Sequence, residues 1–233
     1  MDVSKIGNPD IYVFGFRIQE VTTSLTDFLI TAVCLYAFFT LKKRKDLNSA
    51  QKFMKYHFLT MGIAAFIGGL FGHMILYLLN DYWRIPGWFA SMVSVMFMER
   101  AAIDHSRGVL KEKLVDTLMV VNIIEFVVIA LITAITINFM WVEIHSVWGI
   151  IAVVLPFHII TYTKSKNPGS KLMIIAIGVL VFCIPIFNGP VIIHDFFNHK
   201  DLAHIVICIG ELTMLKATLA FTKQGEGVKP LAA

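Results

Sequence analysis

Apolar residues in this chain neither alternate, as they would on strands, nor form a stripe along otherwise polar helices. They come in runs long enough to fill whole helices, at about 21–41, 53–79, 86–103, 114–139, 144–162, 171–187 and 201–222. A helix rises about 1.5 Å per residue, so about 20 residues cross a hydrocarbon core roughly 30 Å thick. Most of the runs reach that length; the third and sixth are shorter. In lipid such runs must be helical, because an open strand edge would leave backbone groups unpaired. The pattern predicts one all-α domain over residues 1–233, a polytopic membrane protein built as a seven-transmembrane-helix bundle. Pro185 and Pro190 bracket the end of the sixth run and predict a kink or stop there. Gly68, Gly69 and Gly72 give the second run a small face suited to close helix packing.

Composition agrees with this reading. The chain is 57% hydrophobic and 15% charged, with a mean hydropathy of +0.74; soluble domains run near 45–50% and 25%. Cys34, Cys183 and Cys208 all fall inside apolar runs, and their odd number argues against a disulfide framework. The first twenty residues lack the pattern of a cleavable signal peptide. Of the 20 Lys and Arg, fifteen lie on one side of the predicted bundle: residues 42–45, 52, 55, 100, 107, 111, 113, 164, 166, 171, 223 and 229. Lys5, Arg17, Arg84 and Lys200 lie on the other side, and Lys216 lies within the last run. The positive-inside rule then sets the N-terminus outside and the C-terminus in the cytoplasm, in a multi-pass protein of the plasma or inner membrane. Tyr82, Trp83, Trp88, Trp141 and Trp148 gather at the outer boundary, as an aromatic belt does. The basic residues sit in short loops, so no nucleic-acid partner is expected; the expected partners are membrane lipids and a lipid substrate or ligand.

Ionisable residues inside spans are costly and mark bundle interiors or wet cavities. Here they are Asp27, His73, Glu125, His158, His204, Glu211 and Lys216. With orientation set, Asp27, His73, His199, Asp201 and His204 share one depth near the outer surface, although they come from three helices far apart in sequence. Imidazoles and carboxylates at one depth form a candidate zinc site with His73, His199 and His204 as ligands, and a bound zinc could acidify a water. Asp27 or Asp201 would orient a ligand or act as general base. His199 and His204 are five residues apart, so they can reach one ion only if the helix starts near Asp201 and His199 sits in the preceding turn. Asp201 is itself an N-cap candidate.

These residues carry a resemblance to a known superfamily. A histidine late in the second run (Gly69–His73), the stretch Asn198-His199-Lys200-Asp201-Leu202-Ala203-His204 with Gly210 after it, and the acidic Asp27 resemble the CREST superfamily of alkaline ceramidases, progestin and adiponectin receptors and Per1-like proteins. The resemblance implies a zinc-dependent hydrolase of lipid amide or ester bonds, with zinc on His73, His204 and a histidine near position 200. It departs from the family pattern at Gly69, where a serine is usual, and at Lys200, where a histidine is usual. The alternative is a non-enzymatic seven-helix protein that binds or senses a lipid or small ligand.

Two further readings concern the opposite end. Lys216 in the seventh run is similar in place to the retinal lysine of microbial rhodopsins, but Glu211 lies five residues before it rather than four. Glu125 with Asn122 one turn earlier, and Glu99 with Arg100, predict a polar network that pins helices, with Glu125 or Glu211 paired to Lys216. An ion path through these acids is the transport alternative. His158 is read as structural, and His194 and Asp195 as a solvated loop.

Overall fold

The computed structural model describes residues 8–189 and 191–221. Lys5, Pro190, Lys223, Lys229 and the last residue of the seventh predicted run lie outside the described residues. The described chain is a helical bundle. Its helices are α1 (Val21–Lys42), α2 (Ser49–Ile67), α3 (Ile85–His105), α4 (Glu112–Thr136), α5 (Met140–Trp148), α6 (Leu155–Ser165), α7 (Pro168–Val181), α8 (Cys183–Asn188) and α9 (His199–Leu219). Two short antiparallel hairpins, β1 (Ile11–Val13) with β2 (Phe16–Ile18) and β3 (Ile192–His194) with β4 (Phe197–Asn198), precede α1 and α9.

Six segments are long and apolar enough to cross a membrane: Val21–Lys42, Ser49–Met74, Glu112–Thr136, Met140–Ser165, Pro168–Phe187 and His199–Leu219. The third predicted run, α3, matches them in length at 21 residues but carries Glu99, Arg100 and Asp104. Met92, Ser94, Met98, Glu99, Ala101 and Ala102 of α3 are all buried, because α3 packs against α2, α4 and α5. A helix surrounded by protein can hold polar groups that a lipid-facing helix cannot. At the other extreme, α4 exposes Val120, Ile124, Val128, Leu131 and Ile135. An apolar face of that extent is foreign to a water-soluble surface.

Local chemistry explains where the helices start and break. Asn48 and Asn198 each close a capping box, with Gln51 and Asp201 respectively. Asn167 caps α7 ahead of Pro168. The second segment passes from α2 into a π-helical turn, Gly68–Met74. The Met140–Ser165 segment does so at Gly149–Val154, just ahead of Pro156, which has no N–H for the helical ladder. The Pro168–Phe187 segment breaks at Phe182 between α7 and α8; Pro185 lacks the N–H that would continue the helical ladder back to Val181. The main core joins Ile30, Cys34, Leu41, Met54, Phe58, Met173, Ile177 and Met214, from α1, α2, α7 and α9. We call the end where α1 and α9 begin the upper end.

Candidate functional site

The upper end holds a convergence of polar groups from α1, the π-helical turn after α2, and α9. Asp27 is 7% exposed and lies in the second turn of α1. His73 lies in the π turn, which approaches α1 closely at Gly69: a Cβ there would sit 2.9 Å from Asp27 Cβ. His204 lies in the second turn of α9. Asp27 stands between the two rings, with Oδ2 3.7 Å from His73 Nε2 and Oδ1 3.6 Å from His204 Nε2.

The far side of each ring is tethered. His204 Nδ1 lies 2.9 Å from the Thr26 hydroxyl, and His73 Nδ1 meets Glu20. Glu20 also receives a hydrogen bond from Lys200 Nζ at 3.1 Å. Burial pushes the Glu20 carboxyl up, but the hydrogen bond and charge of His73, followed by Lys200, outweigh burial and hold it at about 2. Glu20 has φ 39° and ψ 51°, a left-handed conformation rare for a residue with a side chain. Backbone strain of this kind gathers where surrounding contacts enforce it, often at functional sites.

The two remaining residues predicted for this site do other work. Asp201 is 0% exposed and its carboxylate accepts from Thr23 Oγ1 at 2.8 Å, Asn8 Nδ2 at 3.1 Å and the Asn198 backbone N–H at 2.8 Å. It is the third helical residue of the capping box, with Asn198 as the N-cap. It ties the N-terminal segment to α1 and α9 and leaves the chamber to Asp27. His199 is the first residue of α9. Being helical, it points about 140° away from His204. No hydrogen bond or ion pair joins it to Asp27, His73 or His204; its ring meets Phe187 edge-on, and its buried Nδ1 has no hydrogen-bond partner among the described residues.

The Asp27, His73 and His204 group heads a cavity of about 440 Å³. Lys200, Arg84, Trp88, Phe139 and Phe187 also line it. Below lies a second cavity of about 270 Å³, lined mainly by apolar side chains of α2, α3, α5, α7 and α9. Met61, Ser91 and Ile207 belong to the walls of both. Among the lining residues of the lower chamber are His57 and Glu211, which meet at 3.3 Å, both buried. His57 Nδ1 also lies 2.8 Å from Ser94 Oγ. Glu211 therefore pairs with His57, not with Lys216, which is exposed and lines neither chamber.

Zinc, which the superfamily resemblance implies, finds suitable donors here in kind: two imidazoles with tethered Nδ1 atoms and a carboxylate facing both Nε2 atoms. They are arranged around Asp27 rather than around a common point. Among the described residues, three ligand-type atoms come within 4.8 Å of one another only at Glu99, Glu125 and His145, which line neither chamber.

Sequence reasoning missed Glu20, His57 and His145. Glu20 precedes the first apolar run and looks like a solvated cap. His57 follows Lys52 and Lys55 and looks like part of a basic loop edge. His145 sits between Glu143 and Trp148 at the rim.

A family model matches residues 22–223, and the chain belongs to that family, a family of unknown function designated DUF6962. No curated protein and no solved structure matches the chain.

Proposed function

We propose that this DUF6962 member is a seven-span integral membrane protein that holds a single-chain amphiphile in its two adjoining chambers. The observation that carries this reading is the sharing of Met61, Ser91 and Ile207 by both cavities. It stacks a polar-headed space on an apolar one, as an amphiphile requires. Their volumes together fall within the roughly 300–1,000 Å³ of small-ligand sites. The upper chamber takes the head and the lower takes the chain. Glu20 is paired with Lys200, and Asp27 faces two imidazoles, so the rim offers both donors and acceptors with little unpaired charge. That suits a hydroxyl- or amide-bearing head better than a strongly anionic one.

Trp88 lines the upper chamber and reports occupancy. In a variant with the other three tryptophans changed to Phe, a long-chain fatty-acid amide added to the purified protein should change Trp88 fluorescence saturably. An absent response, or one equal in Asp27→Asn, contradicts the reading.

In this account α3 spans as well and completes the seven, the N-terminus is outside, and the basic loops after α1, α3 and α6 are cytoplasmic. In a cysteine-free background, Asp195→Cys should react with an impermeant maleimide on intact cells, and Asp46→Cys only after permeabilisation. The reverse pattern overturns the orientation.

A second reading, that the protein is a metal-dependent lipid amide or ester hydrolase, draws support from the tethered rings whose Nε2 atoms face Asp27. His73, His204 and Asp27 would hold the metal. A bound zinc would supply an acidified water at the chamber head. Elemental analysis of wild type beside a His73→Ala, His204→Ala variant tests this; equal zinc in both excludes the upper site as its holder.

A further inference from the structure

The tightest gathering of ligand-type atoms among the described residues lies apart from both chambers. Glu99 on α3, Glu125 on α4 and His145 on α5 each bring an oxygen or nitrogen within 4.8 Å of the others. Asn122, one turn before Glu125, joins them by donating its side-chain amide to Glu99 Oε2 at 2.5 Å. Glu99 is 0% exposed and Asn122 5% exposed.

The hydrogen bonds of this cluster do not close. Among the described residues, Glu99 Oε1, Glu125 Oε2 and Asn122 Oδ1 are buried with no hydrogen-bond partner. An ionised carboxylate and an amide carbonyl only accept, so these oxygens cannot satisfy one another. His145 adds to the imbalance. Its Nε2 faces the Met92 carbonyl at 3.2 Å, which only accepts, so Nε2 carries the proton. In the neutral ring, Nδ1 then turns a lone pair towards Glu125 Oε1 at 3.0 Å. The neighbouring cation is engaged elsewhere: Arg100 donates to the Met119 carbonyl at 2.9 Å and lies over the Phe53 ring. Two carboxylates, an amide oxygen and, with the ring neutral, an imidazole lone pair thus face inward; a protonated His145 would offset one carboxylate and leave the other without a counter-charge. A buried charge without a partner is strongly unfavourable.

The backbone is shaped to this cluster. A Cβ at position 149 would fall 2.8 Å from Glu99 Oε1 and 2.5 Å from Val95 Cγ1, so only glycine lets the Met140–Ser165 segment close on the carboxylate. The π-helical turn begins at that same residue, and such turns recur at functional sites.

We propose that Glu99, Glu125 and His145, with Asn122 Oδ1 as a further oxygen, bind a divalent metal ion of the zinc class in the bundle core. One imidazole nitrogen with several oxygens suits zinc or manganese and gives no preference to soft, thiolate-seeking ions. The ion supplies the counter-charge and joins α3, α4 and α5. Its ligands line neither of the two chambers, so it acts as a structural tie. The proposal is independent of what the two chambers bind.

The test uses the full chain in detergent, stripped with a chelator and then loaded with zinc alone. Metal content is read by elemental analysis in wild type, in Glu99→Gln, Glu125→Gln, and in His73→Ala, His204→Ala. The expected result is one zinc per chain that survives in the histidine variant. In the glutamine variant its affinity should fall by more than about 100-fold, since loss of an outer partner of a ligand alone costs about 10–100-fold. Cobalt loaded into the wild type gives a readout that needs no variant to fold: its spectrum should show nitrogen and oxygen ligation and revert on adding zinc. Absence of metal from loaded wild type overturns the proposal, as does unchanged affinity in the glutamine variant. A protonated-carboxyl infrared band in wild type, lost in Glu99→Gln and unaffected by zinc, overturns it in favour of a shared proton.

Discussion

Asp27 and His204, on the first and last helices of the bundle, face each other at 3.6 Å across the head of the upper chamber. The carboxylate lies equally close to His73, so it organises both rings. Asp27→Asn keeps the shape and removes the charge. Hydrogen bonds to charged groups contribute about 1.5–3 kcal/mol. Binding of a long-chain amide, measured by Trp88 fluorescence, should therefore weaken by about tenfold or more. Unchanged affinity would remove Asp27 from the site.

His57 and Glu211 pair inside the lower chamber. Removing one partner of a buried pair strands the other, at a cost of about 3–5 kcal/mol. His57→Ala should lower unfolding stability by about that amount. A His57→Leu, Glu211→Met double variant should recover most of it, because both polar groups then leave together. Additive losses in the double-mutant cycle would show that the two residues do not act as a pair.

Glu20 supplies a pH dependence whose sign follows from its partners. Its carboxyl sits at about 2, against 4.5 for an unperturbed glutamate. A depressed folded-state value contributes stability that is fully present above about pH 4.5 and is lost as pH falls towards 2. The melting temperature of wild type should therefore fall across that window more steeply than that of Glu20→Gln. Parallel curves would mean that the contacts with His73 and Lys200 contribute nothing there.

Much of the helical plan is legible in the sequence because lipid leaves few alternatives. Uninterrupted apolar runs predict six segments that are long and apolar enough to cross a membrane, to within a few residues at each end. α3 is legible in length, but its burial is not, since Glu99 and Arg100 read as an inner rim until α2 and α4 are packed around them. Depth counting brings Asp27, His73 and His204 together correctly, because all three lie near helix ends of known direction. It fails for His199 and Asp201, where two residues of helix start decide everything: α9 begins at His199, which turns that ring aside and makes Asp201 part of the cap. It fails again for Glu125 and His145. Counting equal distances from the turn at 137–139 sets Glu125 opposite Ile151, whereas the imidazole that meets it is six residues earlier. Helix breaks such as the π turn at Gly149 have no signature in hydropathy alone.

The most direct test of the two-chamber account is native mass spectrometry of the detergent-purified protein beside Ile207→Trp, which fills the wall common to both chambers. The account predicts a single-chain amphiphile retained by wild type. In the variant that ligand should be absent, or replaced by one with a shorter chain. A wild type that carries no amphiphile even when one is supplied, or a variant that retains the same long chain, would contradict it.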